Sequence, residues 1–160
     1  MKILVTGGTG FIGSHLCELL VKKNHKVICF DRYNPIYNLG HLNQSKYKKN
    51  IEFIFGDIRD FDSVAKATKG CKIVIHLAAL IGIPYSYVSP LAYIKTNSEG
   101  AYNILEASKL HNVDQVIITS TSETYGSAQE IPINEDHRLL AQSPYAASKM
   151  FADQLGISYW

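Results

Sequence analysis

Residues 2–13 read Lys2-Ile3-Leu4-Val5-Thr6-Gly7-Gly8-Thr9-Gly10-Phe11-Ile12-Gly13. The run KILVT has the length and apolar character of a buried strand, and a glycine-rich turn follows it at once. Gly8, Gly10 and Gly13 fit G-x-G-x-x-G, while Gly7, Gly10 and Gly13 fit a three-residue spacing. A chain that reverses sharply between strand and helix has no room for a Cβ in the turn. Its backbone must also approach a pyrophosphate, which the free N–H groups and partial positive charge of a helix N-terminus then hold. The last glycine lets helix and strand pack closely. Alone the pattern is weak; between the first strand and first helix of a βαβ unit it is a dinucleotide-binding signature.

Outward from this turn, apolar runs alternate with amphipathic stretches. A helix is predicted over 11–23, with Ile12, Leu16, Leu19 and Leu20 on its apolar face. A second strand over 26–30 is ended by Asp31, 18 residues after Gly13. A carboxylate there accepts hydrogen bonds from adenosine ribose hydroxyls and repels a 2′-phosphate, which favours NAD over NADP; the adjacent Arg32 weakens that preference. The polar stretch 32–50 reads as a long connection with room for one weak helix. Strands follow over 51–55, 72–77 and 115–120. Helices are predicted over 61–68, over 93–111, and from Ser143-Pro144 toward Tyr159. Residues 84–90 read as an aromatic, serine-rich loop, and another loop runs from 124 to about 142. The alternation predicts an α/β Rossmann-type fold, a doubly wound parallel sheet covered on both faces. No linker divides residues 1–160, so they are expected to form one NAD-binding domain.

The chain has 160 residues, 46% of them hydrophobic, which suffices for a sizeable core. A formal net charge of +2 gives no argument for nucleic acid or for an anionic membrane surface. No apolar run reaches the ~18 residues of a membrane span, and the start lacks a secretory stretch. Cys17, Cys29 and Cys71 are far apart and odd in number, and read as buried free thiols of a cytoplasmic protein. His76 ends a strand without a second ligand at metal spacing, so it is expected to be packed or hydrogen-bonded, and no metal is expected. The run 46–49 reads as a solvated loop face. Tyr93, Tyr102, Leu105 and Leu110 read as core or dimer surface, and Tyr85, Ser86 and Tyr87 lie where a sugar would.

Near the C-terminus stands Tyr145-Ala146-Ala147-Ser148-Lys149. A four-residue spacing puts phenol and amine on one helix face. Ser143 can cap that helix and Pro144 suits its first turn, which places Tyr145 near the positive end of the dipole. An ordinary tyrosine ionises near pH ~10. A nearby ammonium, the helix end and a bound nicotinamide cation all favour the phenolate, which could take a proton from a sugar hydroxyl. The fifth strand runs into Ser120-Thr121-Ser122-Glu123, whose hydroxyls and carboxylate lie beyond the carboxyl ends of the strands, where such folds bind ligands.

Together these residues resemble the extended short-chain dehydrogenase/reductase family, specifically its NAD-dependent nucleotide-sugar epimerases and dehydratases. The glycine turn, Asp31, Gly56-Asp57-Ile58, His76-Leu77-Ala78-Ala79, Asn97, Ser120–Glu123 and Ser143–Lys149 occur in the family's order over essentially the whole chain. The resemblance implies that Gly7, Gly10, Phe11, Ile12 and Gly13 hold the pyrophosphate and Asp31 the adenosine ribose. It implies adenine contacts at Asp57 and Ile58, and a cofactor path lined by Leu77, Ala78, Ala79 and Asn97. Thr121 would hydrogen-bond the reacting hydroxyl, with Tyr145 as base and Lys149 as its partner at the cofactor ribose. Ser86, Thr121 and Ser122 would meet the substrate. The wording of 77–97 and 119–149 is most similar to bacterial UDP-N-acetylglucosamine 4,6-dehydratases of the legionaminic-acid type. That chemistry oxidises C4, removes the C5 proton with a carboxylate matched here by Glu123, expels the C6 hydroxyl as water, and returns the hydride. Many 4,6-dehydratases carry Asp-Glu where this chain has Ser122-Glu123, and serine is a poor acid. The same pair resembles UDP-glucuronate decarboxylases, so a decarboxylase and a 4-epimerase stay open. Outside catalysis, a module that binds NAD as a sensor or structural part also stays open.

Proteins of this family run to roughly twice this length, and a homodimer packed through two long helices is implied for the full-length form. The chain therefore resembles an N-terminal portion without the sugar-nucleotide lobe, and remote substrate contacts normally contribute binding energy used in catalysis. The 160 residues alone are expected to bind NAD weakly or fold poorly, and to turn over little. NAD affinity and product formation, measured beside the product of any longer reading frame, check this; equal turnover contradicts it.

Overall fold

A strand covered on both faces must be apolar at successive positions, and Ile3, Leu4 and Val5 are all buried. The computed structural model describes residues 1–159. It places β1 (Lys2–Thr6) at the centre of a five-stranded parallel sheet. The other strands are β2 (Lys26–Arg32), β3 (Ile51–Gly56), β4 (Ile73–His76) and β5 (Gln115–Ile118), in the order β3-β2-β1-β4-β5. Successive side chains of β1 enter opposite layers. Leu4 packs with Ile28, Phe30, Val64, Val74 and Ile104, while Ile3 and Val5 pack with Cys17, Val27, Cys29 and Leu42. All three cysteines are buried and free.

The helices are α1 (Phe11–Lys22), α2 (Phe61–Thr68), α3 (Ile83–Val88), α4 (Pro90–Tyr93), α5 (Gly100–Leu110) and α6 (Pro144–Ser158). A π-helical turn, Ile94–Glu99, joins α4 to α5. Asp60 caps α2 by accepting from the Asp62 N–H at 3.1 Å. Lys22, Lys66 and Lys109 sit in the last turns of α1, α2 and α5, where cations complement the helix dipole. Among the described residues no helix is long and apolar enough to cross a membrane.

Several expectations need correction. α1 does not present Ile12 and Leu19 to the sheet: they are 65% and 51% exposed, and Gly13, Ser14 and Cys17 are buried instead. The start of the helix lies so close to the glycine turn that small side chains face it there, while Leu16 and Leu20 pack on the sheet as expected. Asp31 does not end β2 but lies within it, paired with Phe55. Residues 83–88 form α3 rather than a loop, because Pro84 falls in its first turn, where a proline is tolerated. The long helix starts at Pro90 and is widened by its π turn, and Tyr93 is completely buried. The connection before β3 holds two short 3₁₀ turns, Gly40–Leu42 and Lys48–Asn50.

β1 and β4 are neighbours although the chain visits β2 and β3 between them. At this reversal of strand order the crevice beyond the carboxyl ends opens, flanked by the turns after Thr6 and His76. Closeness is extreme at Gly13, where a Cβ would lie 2.2 Å from the Gly7 carbonyl oxygen and 2.7 Å from the Gly8 Cα. Gly70 has φ +74° but nothing within 4 Å of a built Cβ. Gly70→Ala should thus cost about 1 kcal/mol, the left-handed penalty alone, whereas Gly13→Ala should cost at least about 3 kcal/mol through backbone overlap. Urea unfolding of both variants measures the difference; equal losses contradict the close-packed turn.

Candidate active site

The glycine turn is held by its own backbone. Gly7 N–H donates to the Phe30 carbonyl at 2.9 Å, Gly10 N–H to the Gly7 carbonyl at 3.1 Å, and Ser14 N–H to the Gly10 carbonyl at 3.0 Å. Gly7 has φ +68°, and a Cβ on it would lie 2.9 Å from the Ala78 backbone nitrogen. The turns after β1 and β4 thus touch. Gly10 is the N-cap of α1 and has no side chain to satisfy the first N–H groups, while Phe11 and Ile12 stand exposed beside them. A bare helix mouth behind a cradle that Cβ atoms would fill suits the pyrophosphate of a dinucleotide.

Asp31 is tied to this turn. Its Oδ2 accepts from Thr9 N–H at 2.9 Å and from the Thr9 hydroxyl at 2.6 Å, and its Oδ1 accepts from Arg32 N–H at 2.8 Å. The acid expected at the adenosine ribose therefore also fixes the middle of the turn. At the end of β3, Asp57 accepts from the Arg59 backbone N–H and from Nε, both at 2.9 Å, and from Nη2 at 2.5 Å. These bonds hold its carboxyl below the usual carboxylate range. Ile58 is buried under Gly100, whose Cβ would lie 2.7 Å from its Cδ1. Its side chain is core and its carbonyl accepts from Asn103 Nδ2 at 2.9 Å, which leaves its N–H for any contact with adenine.

Beyond β4, Leu77 N–H donates to the Thr6 carbonyl and Ala78 N–H to the Thr6 hydroxyl, both at 3.2 Å. That hydroxyl lies 2.7 Å from His76 Nδ1. Leu77, Ala78 and Ala79 are half-buried at the crevice. Asn97 is buried and acts as a clamp: its Oδ1 accepts from Leu80 N–H at 2.8 Å, and its Nδ2 donates to the Leu80 carbonyl at 2.9 Å and to Ser148 Oγ at 3.0 Å. Ser86 departs from expectation. It is fully buried and its hydroxyl donates to the Ile83 carbonyl at 2.6 Å, so in this structure it presents nothing to a sugar.

α6 starts as its sequence predicts, with Ser143 Oγ accepting from Ala146 N–H at 3.0 Å and Pro144 in the first turn. Tyr145 is half-buried on that turn, its ring edge-to-face with Tyr93. Lys149 is buried, and its ammonium donates to the Thr119 carbonyl at the end of β5. Burial pushes its pKa down. Thr121 Oγ1 accepts from Glu123 N–H at 3.3 Å, while Ser122 and Glu123 are exposed. Glycine turn, β4 loop, Thr121–Glu123 and the start of α6 therefore meet at one end of the sheet. Two residues of this region were not legible in the sequence: Thr9, whose hydroxyl donates to Asp31 from the glycine turn, and Asp153, one turn beyond Lys149. Burial pushes the Asp153 carboxyl up, and the Ser120 hydroxyl donates to it. The i, i+4 spacing from Lys149 was its only signal.

Complete burial, reinforced by the Lys149 charge, pushes the His76 pKa down to about 3. The unfolded chain then binds a proton that the folded one refuses. This contribution to stability is fully present above pH ~6.5 and is lost at up to about 1.4 kcal/mol per unit as pH falls toward 3. Between pH 6.5 and 5 the parent should lose about 2 kcal/mol more than His76→Gln in urea unfolding. Parallel pH curves for the two proteins contradict a neutral buried His76.

The sequence profile described as GDP-mannose 4,6 dehydratase matches residues 4–160. A bifunctional UDP-glucose 4-epimerase and UDP-xylose 4-epimerase from Pisum sativum is 32% identical over 96% of this chain and 46% of its own length. A solved UDP-N-acetylglucosamine 4-epimerase from Methanobrevibacter ruminantium M1, in complex with UDP-N-acetylmuramic acid, superposes with TM-score 0.89 at 34% identity, covering 99% of this chain and 50% of the other. The dTDP-glucose 4,6-dehydratase DesIV from Streptomyces venezuelae, solved with NAD and TYD bound, gives TM-score 0.90 at 32% identity, covering 99% and 51%. The chain spans about half the length of the curated relatives it matches. With the glycine cradle, the Tyr145–Lys149 helix and the switch-point crevice in one place, the chain belongs to the GDP-mannose 4,6 dehydratase family, the extended short-chain dehydrogenase/reductases that comprise nucleotide-sugar epimerases and dehydratases.

Proposed function

We propose that this chain binds NAD at the α1 mouth and that Tyr145 takes the C4 hydroxyl proton of a UDP-linked sugar, the opening step of a 4,6-dehydration. One observation carries the reading: Tyr145 and the buried Lys149 share a capped helix that starts at the same crevice as the bare glycine turn. NAD supplies the hydride acceptor at C4 and later the donor at C6. Gly7, Gly10, Phe11, Ile12 and Gly13 hold its diphosphate, and Asp31 its adenosine ribose through the lone pairs that Thr9 and Arg32 leave free. Thr121 steadies the reacting hydroxyl, and Lys149, four residues after Tyr145 on α6, partners it at the cofactor ribose. Glu123, an exposed carboxylate at the end of β5, removes the C5 proton made acidic by the C4 ketone. The C6 hydroxyl leaves as water, its proton coming from solvent because Ser122 is no acid at neutral pH, and Glu123 returns its proton to C5 once C6 has been reduced. UDP-N-acetylglucosamine is the proposed substrate, as a step toward a legionaminic-type surface sugar.

A second reading, 4-epimerisation, draws support from the pea and Methanobrevibacter relatives and from Ser122 at the position of an acid. It needs Tyr145 and Lys149 but not Glu123. In either reading a second copy covers the apolar groove of ≈ 570 Å³ lined by Ile94, Tyr102, Ala147 and Phe151. These residues leave half-exposed apolar surface on the outer helices.

The test is incubation with NAD and UDP-N-acetylglucosamine or UDP-glucose, on this chain and on the product of any longer reading frame, with products identified by mass and NMR. Loss of water to a 4-keto-6-deoxy sugar supports dehydration, and a C4 epimer of unchanged mass supports the second reading. Tyr145→Phe should lower turnover at least about 100-fold. Glu123→Gln should stop C5 proton exchange in a dehydratase and leave an epimerase untouched. A folded longer product that neither retains NAD nor alters either sugar contradicts both.

A further inference from the structure

Tyr93 lies between two parts of the site. Among the described residues it is the largest side chain with no exposed surface, and its hydroxyl lies 2.8 Å from both the Ile81 and the Gly82 carbonyl oxygens. A buried phenol needs a partner for its proton, whereas a phenylalanine would fill the same space without that need. The hydroxyl therefore does more than fill the core: it gathers two consecutive carbonyls of the loop after β4. Gly82, at φ +98°, adopts a backbone conformation suited to glycine. One turn further along the same helical run, Asn97 binds the preceding carbonyl, Leu80, at 2.9 Å. Three successive carbonyls of the crevice wall are thus held by two side chains.

Both side chains also reach α6. The Tyr93 ring meets the Tyr145 ring edge-to-face, with centroids 6.1 Å apart and planes at 76°. Asn97 donates to Ser148 Oγ at 3.0 Å. The π turn Ile94–Glu99 lies in this stretch, and such insertions re-aim side chains relative to a regular helix. We propose that Tyr93 is a positioning residue: through its ring it fixes Tyr145, and through its hydroxyl it locks the 80–82 loop to the same frame. This rests on the assignment of Tyr145 as the base beside the nicotinamide. A base displaced by ~1 Å loses much of its effect, so the contact of two rings controls the reaction without touching it.

The test is NMR on the NAD-loaded parent, Tyr93→Phe and Tyr93→Leu, reading the nuclear Overhauser effect between the Tyr145 ring and the nicotinamide C4 proton. NAD-induced shifts of the Phe11–Gly13 amides report independently on folding and cofactor binding. Tyr93→Phe keeps the ring and should keep the Tyr145 signal, while hydrogen exchange at Leu80, whose N–H donates to Asn97 in the same loop, accelerates about tenfold. Tyr93→Leu should weaken the Tyr145 signal at least about threefold with the amide shifts intact. An undiminished signal in Tyr93→Leu overturns the proposal, as does joint loss of signal and amide shifts, which marks a purely structural role. If Tyr93→Leu does not fold, Tyr93→Phe decides: unchanged exchange at Leu80 overturns the proposal. Amide shifts in the parent without any Tyr145 signal overturn the assignment of Tyr145, and the positioning role with it.

Discussion

The contact between the Gly7 carbonyl and the Cα of Gly13 sets the geometry of the whole cofactor end. Because no side chain intervenes, α1 starts directly above β1 and leaves its first amides bare. The same turn brings Gly7 against Ala78, so the ends of β1 and β4 close into one crevice. It also delivers Thr9 to Asp31, which locks the end of β2 to the helix mouth. A fold of parallel strands places helix N-termini at this end generally. The glycines make one of them approachable.

The chemistry depends on how this end handles charge. His76 sits at its floor, buried and neutral, against the Thr6 hydroxyl. Lys149 is the cation there, held by the Thr119 carbonyl rather than by a carboxylate. The Asp153 carboxylate, one turn further along α6, attracts that ammonium at longer range and partly offsets the cost of its burial. Asp57, by contrast, is paired with Arg59 at the rim. The acid expected near adenine is thus occupied, while Glu123, the acid expected near the sugar, is exposed.

Local signals were legible where a short stretch determines its own structure. The KILVT strand, the glycine turn, the helix over 61–68 and the Ser143 cap are all of this kind, and each lies where the residues indicated. Contacts between distant segments were not legible. Nothing near Ser86 indicates that its hydroxyl turns inward to Ile83, since an aromatic, proline-flanked stretch reads as loop until tertiary packing makes it α3. Of the apolar face expected on α1, Leu16 and Leu20 pack on the core, but Ile12 and Leu19 were misread because proximity to the turn selects Gly13 and Cys17 instead. Tyr93 was legible as core, but its meeting with Tyr145, 52 positions away, needed the fold. The family's dehydratases and epimerases share this cofactor half, so its residues carry the common step more clearly than the outcome.

The account stands on bare amides at the start of α1 receiving a diphosphate, and an ¹⁵N amide shift map during NAD titration tests it most directly. The largest shifts should fall on Phe11, Ile12 and Gly13, with a second group around Tyr145. NAD binding that leaves these three amides unmoved would contradict it.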